Sequence, residues 1–283
     1  MTTTETAASA LDIRTVPIRG GVELEVGEIG TGDPLVLVCG TTQDLRLWAP
    51  LVPALSASRR VILYNHRGIG ASTRGAGTLS VRSLADDLDA LLEALAIEHA
   101  DILGWSLGTA VAQELVLAHP DRARSLVLAA TWGRTTPFQQ AVITALAHPW
   151  RTGDWAAALA AMAISFSEEF VNSPGFAPTM AALAPLFPST DAQMSAVVEQ
   201  FDADLAHDTL DRLGTITVPT LVIAGEKDLL TPPAEGQTVA NAIPGARFEL
   251  FTGPGASHAV MLERSAEFLA VVTGFLDEVH AGH

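Results

Sequence analysis

A serine becomes a nucleophile when a base takes its proton and a third group orients that base. Three residues of this chain have the types and the order for that task. Ser106 stands in Gly104-Trp105-Ser106-Leu107-Gly108, between the apolar run 100–103 and a helix-like stretch, 109–119. A G-x-S-x-G at a strand-to-helix junction permits a sharp turn that leaves the serine Oγ exposed at a helix N-terminus. There, free N–H groups and the helix dipole favour developing negative charge, so the chemistry that fits is acyl transfer. Of eight histidines, His258 is placed as the base, at the end of Thr252-Gly253-Pro254-Gly255-Ala256-Ser257-His258, a loop following the last strand-like run. Asp228, in Gly225-Glu226-Lys227-Asp228, is expected to orient the imidazole, with Glu226 as fallback. Asp228 would also serve as a cap before Thr231-Pro232-Pro233. The oxyanion of an acyl-transfer intermediate needs N–H donors, and the spacing nominates Leu107, directly after the serine, and Thr41 in Gly40-Thr41-Thr42.

These loops must be held by a frame. Residues 11–18 and 22–29 read as paired strands around Gly20-Gly21. Residues 35–39 and 61–64 are short continuous apolar runs, the pattern of strands buried on both faces. Ser80 caps a helix in which Val81, Leu84, Leu88, Leu91, Leu92 and Leu95 recur at helical spacing, leaving Asp86, Asp87, Asp89 and Glu93 as a solvated face. Strands at 100–103 and 125–129 follow. From Gly133 to about Leu213 only helix-like segments appear (138–147, 155–170, 179–186 and 192–205), before strands return at 220–224 and 247–251. A helix over 264–279 closes the chain. Alternation of strand and helix implies a mostly parallel sheet covered on both faces. The spacing therefore predicts a core of residues 11–132 and 214–283, a helical cap of 133–213 over the carboxyl edge, and a flexible N-terminus of 1–10. Large apolar residues near the nominated loops or in the cap (Trp105, Leu229, Leu230, Met261, Phe138 and Trp155) are expected to line a substrate pocket. Trp150, Phe166, Phe170 and Phe176 are further cap aromatics available to that pocket.

Composition excludes several function classes. The chain has 283 residues and a formal net charge of −16, which opposes nucleic acid or an anionic membrane as partner. Its single cysteine, Cys39, forbids an intrachain disulfide and a cysteine-rich metal site. No metal and no organic cofactor is expected. Neither a secretory leader pattern nor a run of about 18 apolar residues is present, so the expectation is a cytoplasmic protein.

The order Ser106, Asp228, His258 resembles that of the α/β-hydrolase superfamily. Cys39-Gly40 with Trp48 downstream is similar to its His-Gly before the oxyanion loop. Asn65-His66-Arg67-Gly68-Ile69-Gly70-Ala71-Ser72 is similar to its D-x-R-G-x-G-x-S. Within it the chain looks most like capped esterases and lactonases of the 3-oxoadipate enol-lactonase type, and like esterases and thioesterases of polyketide tailoring. The resemblance implies an α/β-hydrolase fold with a cap insertion. It also implies hydrolysis of a small apolar carboxylic ester, lactone or thioester through an acyl-enzyme on Ser106. Cys39 for histidine and Asn65 for aspartate depart from the pattern. Serine in place of aspartate at the nucleophile disfavours epoxide and haloalkane chemistry. The same residues also serve cyclases, perhydrolases, enzymes that cleave C–C bonds, and ligand-sensing receptors.

Overall fold

In the computed structural model, which describes residues 11–282, eight strands form one sheet in the order β1-β2-β4-β3-β5-β6-β7-β8. β1 (Asp12–Ile18) and β2 (Val22–Ile29) form an antiparallel hairpin, and β2 also pairs antiparallel with β4. The remaining strands, β3 (Asp33–Val38), β4 (Arg59–Tyr64), β5 (Ala100–Trp105), β6 (Ala123–Ala129), β7 (Thr220–Gly225) and β8 (Arg247–Phe251), run parallel. The hairpin turns through Arg19, Gly20 and Gly21, and the φ values of +87° and +74° at the two glycines suit a tight three-residue turn that L side chains resist.

The continuous apolar runs are explained by two cores sharing one sheet. Alternate residues of a strand point to opposite faces. Val36, Val38, Ile62, Tyr64 and Ile102 enter one cluster, while Leu35, Leu37, Val61, Leu63 and Leu103 enter the other. Helices α1 (Val81–Ala94) and α2 (Leu107–Ala118) cover the first face. On the second, Trp48, Leu51 and Leu55 pack with Phe268, Val272 and Leu276 of the final helix. Ser80 and Ser83 cap α1 reciprocally, at 3.1 and 2.9 Å. The reading of its acidic side as a solvated face needs correction for two residues. Asp87 and Asp89 are buried: Arg67 Nε binds Asp87 at 2.6 Å, and Arg19 and Arg122 hold Asp89 at 2.5 and 2.6 Å. Their partners come from distant parts of the chain, which helical periodicity does not register.

Between β6 and β7 lies a helical insertion: α3 (Pro137–Arg151), α4 (Trp155–Ala161), α5 (Phe176–Leu183) and α6 (Asp191–Ala206). The chain enters and leaves it at one place, where Thr209 and Leu210 N–H bond the Gly133 carbonyl at 2.7 and 3.0 Å. Helix α3 runs past Pro149, beyond the predicted end at 147. Buried Trp150 anchors the last turn, and Thr152 and Asp154 N–H satisfy the carbonyls of His148 and Pro149. The single helix expected over 155–170 is instead broken: a tight turn covers Met162–Ser165 and Phe166 is extended, with φ −104° and ψ 161°. Ser165 and Ser167 are held there by bonds to the loop carrying His258, and tertiary contacts override local propensity. After β7, α7 (Pro233–Ala242) and α8 (Ser265–Ala281) complete the two faces. The predicted flexible segment 1–10 lies outside the described residues.

Candidate active site

Ser106 joins β5 to α2 with φ +54° and ψ −122°, a left-handed conformation that a side-chain-bearing residue adopts only under constraint. The constraint is packing of backbone on backbone. A Cβ on Gly104 would lie 2.5 Å from the Gly108 carbonyl oxygen, and one on Gly108 2.2 Å from that of Val38. Both glycines are needed for close approach. Ser106 N–H bonds the Ala129 carbonyl at 3.0 Å and its own carbonyl accepts from Thr109 N–H at 2.8 Å, so the turn is pinned on both sides.

The structure brings Asp228 and His258 together from the ends of β7 and β8. A Cβ on Gly225 would lie 2.4 Å from the Ala256 carbonyl oxygen, so the glycine lets the two loops touch. His258 Nδ1 is 2.8 Å from Asp228 Oδ2, with both side chains buried. Asp228 Oδ2 also accepts from Thr231 Oγ1 at 2.7 Å, and Oδ1 from Leu230 and Thr231 N–H at 2.8 and 2.9 Å. The aspartate therefore braces the turn before α7 and orients the imidazole at once. An acceptor at Nδ1 holds the proton there and leaves Nε2 with a free lone pair. Glu226 is exposed and accepts instead from Gly253 N–H at 2.6 Å, which removes the fallback. Trp105 Nε1 donates to the His258 carbonyl at 2.9 Å, and its ring lies 5.6 Å from the imidazole.

Ser106 and His258 line one cavity between sheet edge and cap. Their side chains make no direct hydrogen bond; the polar contacts of the imidazole are both at Nδ1, to Asp228 and Thr231. Gly40, whose added Cβ would meet Trp105 O at 3.0 Å and Ser106 Cβ at 3.1 Å, sets the 40–42 loop against the serine. The N–H groups of Thr41 and Leu107 have no hydrogen-bond partner among the described residues, whereas Thr42 N–H is occupied by Gln200 Oε1 at 2.9 Å.

Seven pocket residues nominated from sequence fall outside the cavity wall: Trp150, Phe170 and Phe176, and four whose places are instructive. Phe138 is 54% exposed because α3 turns Gln139, Ile143, Leu146 and Trp150 inward instead. Leu229 is 52% exposed, and the adjacent Leu230 takes the inward place. Met261 is fully buried beneath the opposite sheet face. Trp155 binds the Pro188 carbonyl through Nε1 at 3.0 Å and braces the cap internally. Trp105 does line the cavity, as does Phe166. The wall also contains Met162, Phe187, Phe201 and Asp204, which size-based selection missed. A signal for the last two existed in the helical spacing of Val197, Gln200, Phe201 and Asp204, all buried on α6.

The two departures from the superfamily pattern have structural reasons. Asn65 Nδ2 donates to Glu25 at 2.8 Å and to Asp44 at 2.9 Å, while its Oδ1 accepts from Leu45 N–H at 2.6 Å. Aspartate there would add a third buried carboxylate and remove the donors between the other two. Cys39 packs in the core, and burial pushes its thiol well above the usual range, leaving it inert. Among the described residues no cluster of three His, Cys, Asp or Glu side chains could hold a metal ion. Nor is any helix there long and apolar enough to cross a membrane.

Residues 33–264 match the family model for the alpha/beta hydrolase fold. The chain is 31% identical over 259 residues to "Putative carbamate hydrolase RutD" of Azorhizobium caulinodans, covering 88% of this chain and 94% of the relative. It is 29% identical over 280 residues to the 2-hydroxymuconate semialdehyde hydrolase of a Pseudomonas species, covering 93% and 94%. The enol-lactonase from Burkholderia xenovorans superposes with a TM-score of 0.81 at 29% identity, covering 93% of this chain and all of that one. The chain belongs to the α/β-hydrolase family, and the two relatives just described carry hydrolase names.

Proposed function

We propose that this α/β-hydrolase is a serine hydrolase cleaving a carboxylic ester, lactone or thioester through an acyl-enzyme on Ser106. The observation that carries the reading is the buried 2.8 Å pair of Asp228 and His258 sharing a cavity with a serine in a strained turn. In this mechanism His258 Nε2 takes the Ser106 proton as Oγ attacks the acyl carbonyl. The resulting oxyanion lies against the N–H groups of Thr41 and Leu107, each such donor being worth about 3 kcal/mol in the transition state. The imidazolium then protonates the departing alcohol or thiol. A water, deprotonated by the same nitrogen, attacks the acyl-enzyme and releases the acid and Ser106. Asp228 offsets the charge on the imidazolium without itself taking the proton. Serine suits this sequence because its covalent intermediate is an acyl ester whose carbonyl water can attack.

Initial rates on para-nitrophenyl esters of increasing acyl length, wild type beside Ser106→Ala, test the reading. The expected loss in kcat is about 10³- to 10⁶-fold, with paraoxon modifying wild type and leaving the variant unmodified. Undiminished hydrolysis by a folded Ser106→Ala protein would overturn it.

A further inference from the structure

One cavity residue has no part in that mechanism. Asp204 lies on α6 one turn from Phe201, is 5% exposed, and belongs to the cavity wall. Its Oδ2 accepts from Thr41 Oγ1 at 2.6 Å, and its Oδ1 has no hydrogen-bond partner among the described residues. Leaving a buried carboxylate oxygen unpaired is costly, and folding gains nothing from it here. An apolar residue would continue the face begun by Val197 and Phe201. Gln200 Nε2, one turn earlier, also lacks a partner, but Gln200 does not reach the wall. The position of Asp204 is specific. Its partner Thr41 is the residue whose N–H is proposed to face the oxyanion, and Asp204, Thr41 and Ser106 line the same cavity.

We infer that Asp204 is a substrate-recognition residue that accepts a hydrogen bond from a hydroxyl or amide N–H on the acyl group, close to the scissile carbonyl. The inference rests on the serine-hydrolase reading and narrows it: the substrate is a hydroxyacyl or acylamino ester, lactone or thioester, not a plain alkanoate. Around Asp204 the wall is largely apolar, with Met162, Phe187 and Phe201 on the cap side, so a polar group of the ligand placed there would meet Asp204. Burial pushes the Asp204 acid up to about 7, and no cation pairs with it among the described residues. A neutral donor therefore fits better than an ammonium, which would have to shed its water for one partner.

The test compares para-nitrophenyl esters of butanoic acid, β-hydroxybutanoic acid and N-acetylglycine on wild type, Asp204→Leu and Asp204→Asn, reading the ratio of kcat/KM. Wild type is expected to prefer one donor-bearing ester over butanoate by about tenfold or more. Which of the two wins separates hydroxyl from amide. Asp204→Leu should bring the ratio close to one, and Asp204→Asn, which keeps an acceptor oxygen, should retain part of it. Wild-type ratios within twofold for both donors, or a preference that survives in Asp204→Leu, would overturn the inference. In parallel, methyl ketones carrying the same three chains are bound to Ser106→Ala with and without Asp204→Leu, by calorimetry. A donor preference there, lost with Asp204, supports the recognition site even when no ester turns over and the hydrolase reading has failed; its absence overturns the site.

Discussion

Asp228 and Asp204 are both buried aspartates serving the same cavity, one behind its histidine at the sheet edge and one in its cap wall. They are bonded very differently. Asp228 receives four donors, from Leu230, Thr231 twice, and His258, and no lone pair is left to chance. Asp204 receives one side-chain donor, from Thr41, and keeps one oxygen open. A group that must hold one geometry through every turnover is saturated by its own chain. A group that meets a ligand must leave capacity free. In the proposed mechanism the contrast extends to the two regions: the core edge fixes the reacting atoms, and the cap decides what reaches them.

The largest expected effect tests that division directly. Asp228→Asn disturbs the histidine tautomer and should lower kcat by about 10⁴-fold at every acyl length. Phe201→Ala, in the cap wall, should shift the preferred chain length while costing the best substrate less than about tenfold. Rate profiles across one ester series measure both. A cap variant that lowers all lengths equally by orders of magnitude would erase the distinction between the regions.

The second prediction compares one substitution in the two regions. In Gly108→Ala the new Cβ meets the backbone of β3 at 2.2 Å, and neither strand nor helix can yield cheaply. A loss of about 3 kcal/mol or more is expected. Gly153 in the cap has φ +73° and nothing within 4 Å of its Cβ, so Gly153→Ala carries only the left-handed strain, about 1 kcal/mol. Denaturant midpoints rank the two; equal losses would mean that the elbow relaxes.

These regions also differed in how legible they were. The serine turn, the histidine loop and Asp228 were readable because their chemistry is local: a few adjacent residues specify turn, strand end and functional group together. The cap wall depends on which helical face turns inward. Choosing Phe138 by its size overlooked the spacing of Gln139, Ile143, Leu146 and Trp150, which sets that face. Asp204 lay on an inward face that spacing could have shown, yet a lone acid among apolar neighbours reads as a surface residue. Asp87 and Asp89 were misread for another reason: their arginines are brought by the fold, and no local pattern announces them.

A third prediction uses two buried groups at the end of α6 that titrate in opposite senses. Burial raises the Asp204 acid from 3.8 to about 7. The folded chain therefore keeps a proton that the unfolded chain releases above about pH 4, and stability falls as pH rises from about 4 to 7. Burial lowers His207 from 6.5 to about 4, outweighing the upward pull of Glu114 and Asp208. The unfolded chain binds that proton first, so this contribution rises over about pH 4 to 6.5. In the wild type the two slopes oppose each other. Asp204→Asn removes the falling one, so its stability relative to wild type should grow from near zero at pH 4 to as much as about 4 kcal/mol at pH 8. Melting temperatures at the two pH values check this; a pH-independent difference would mean Asp204 is ionised throughout.

The smallest effect asks whether cap and core are separable at all. Glu263 joins them: its Oε1 accepts from Ser257 Oγ at 2.5 Å and Ser167 N–H at 2.8 Å, and its Oε2 from Ser167 Oγ at 2.5 Å. Ser257 precedes His258, and Ser167 follows the cap residue Phe166. The Ala259 N–H bond to the Ser165 carbonyl, at 2.9 Å, runs beside this carboxylate and survives its alteration. Glu263→Gln keeps one acceptor oxygen and replaces the other with a donor, so one serine bond is lost or reversed while the backbone link remains. The expected cost is about 1 kcal/mol, appearing as a KM raised two- to fivefold with kcat within twofold at every acyl length. That split would mean the latch positions the cap wall, and that Trp105 and Asp228 suffice to hold the histidine. A kcat falling in step with the rise in KM would show that the histidine depends on the cap for its place. The boundary between reacting atoms and recognition wall would then run through the cap at Ser167, and not along the edge of the sheet.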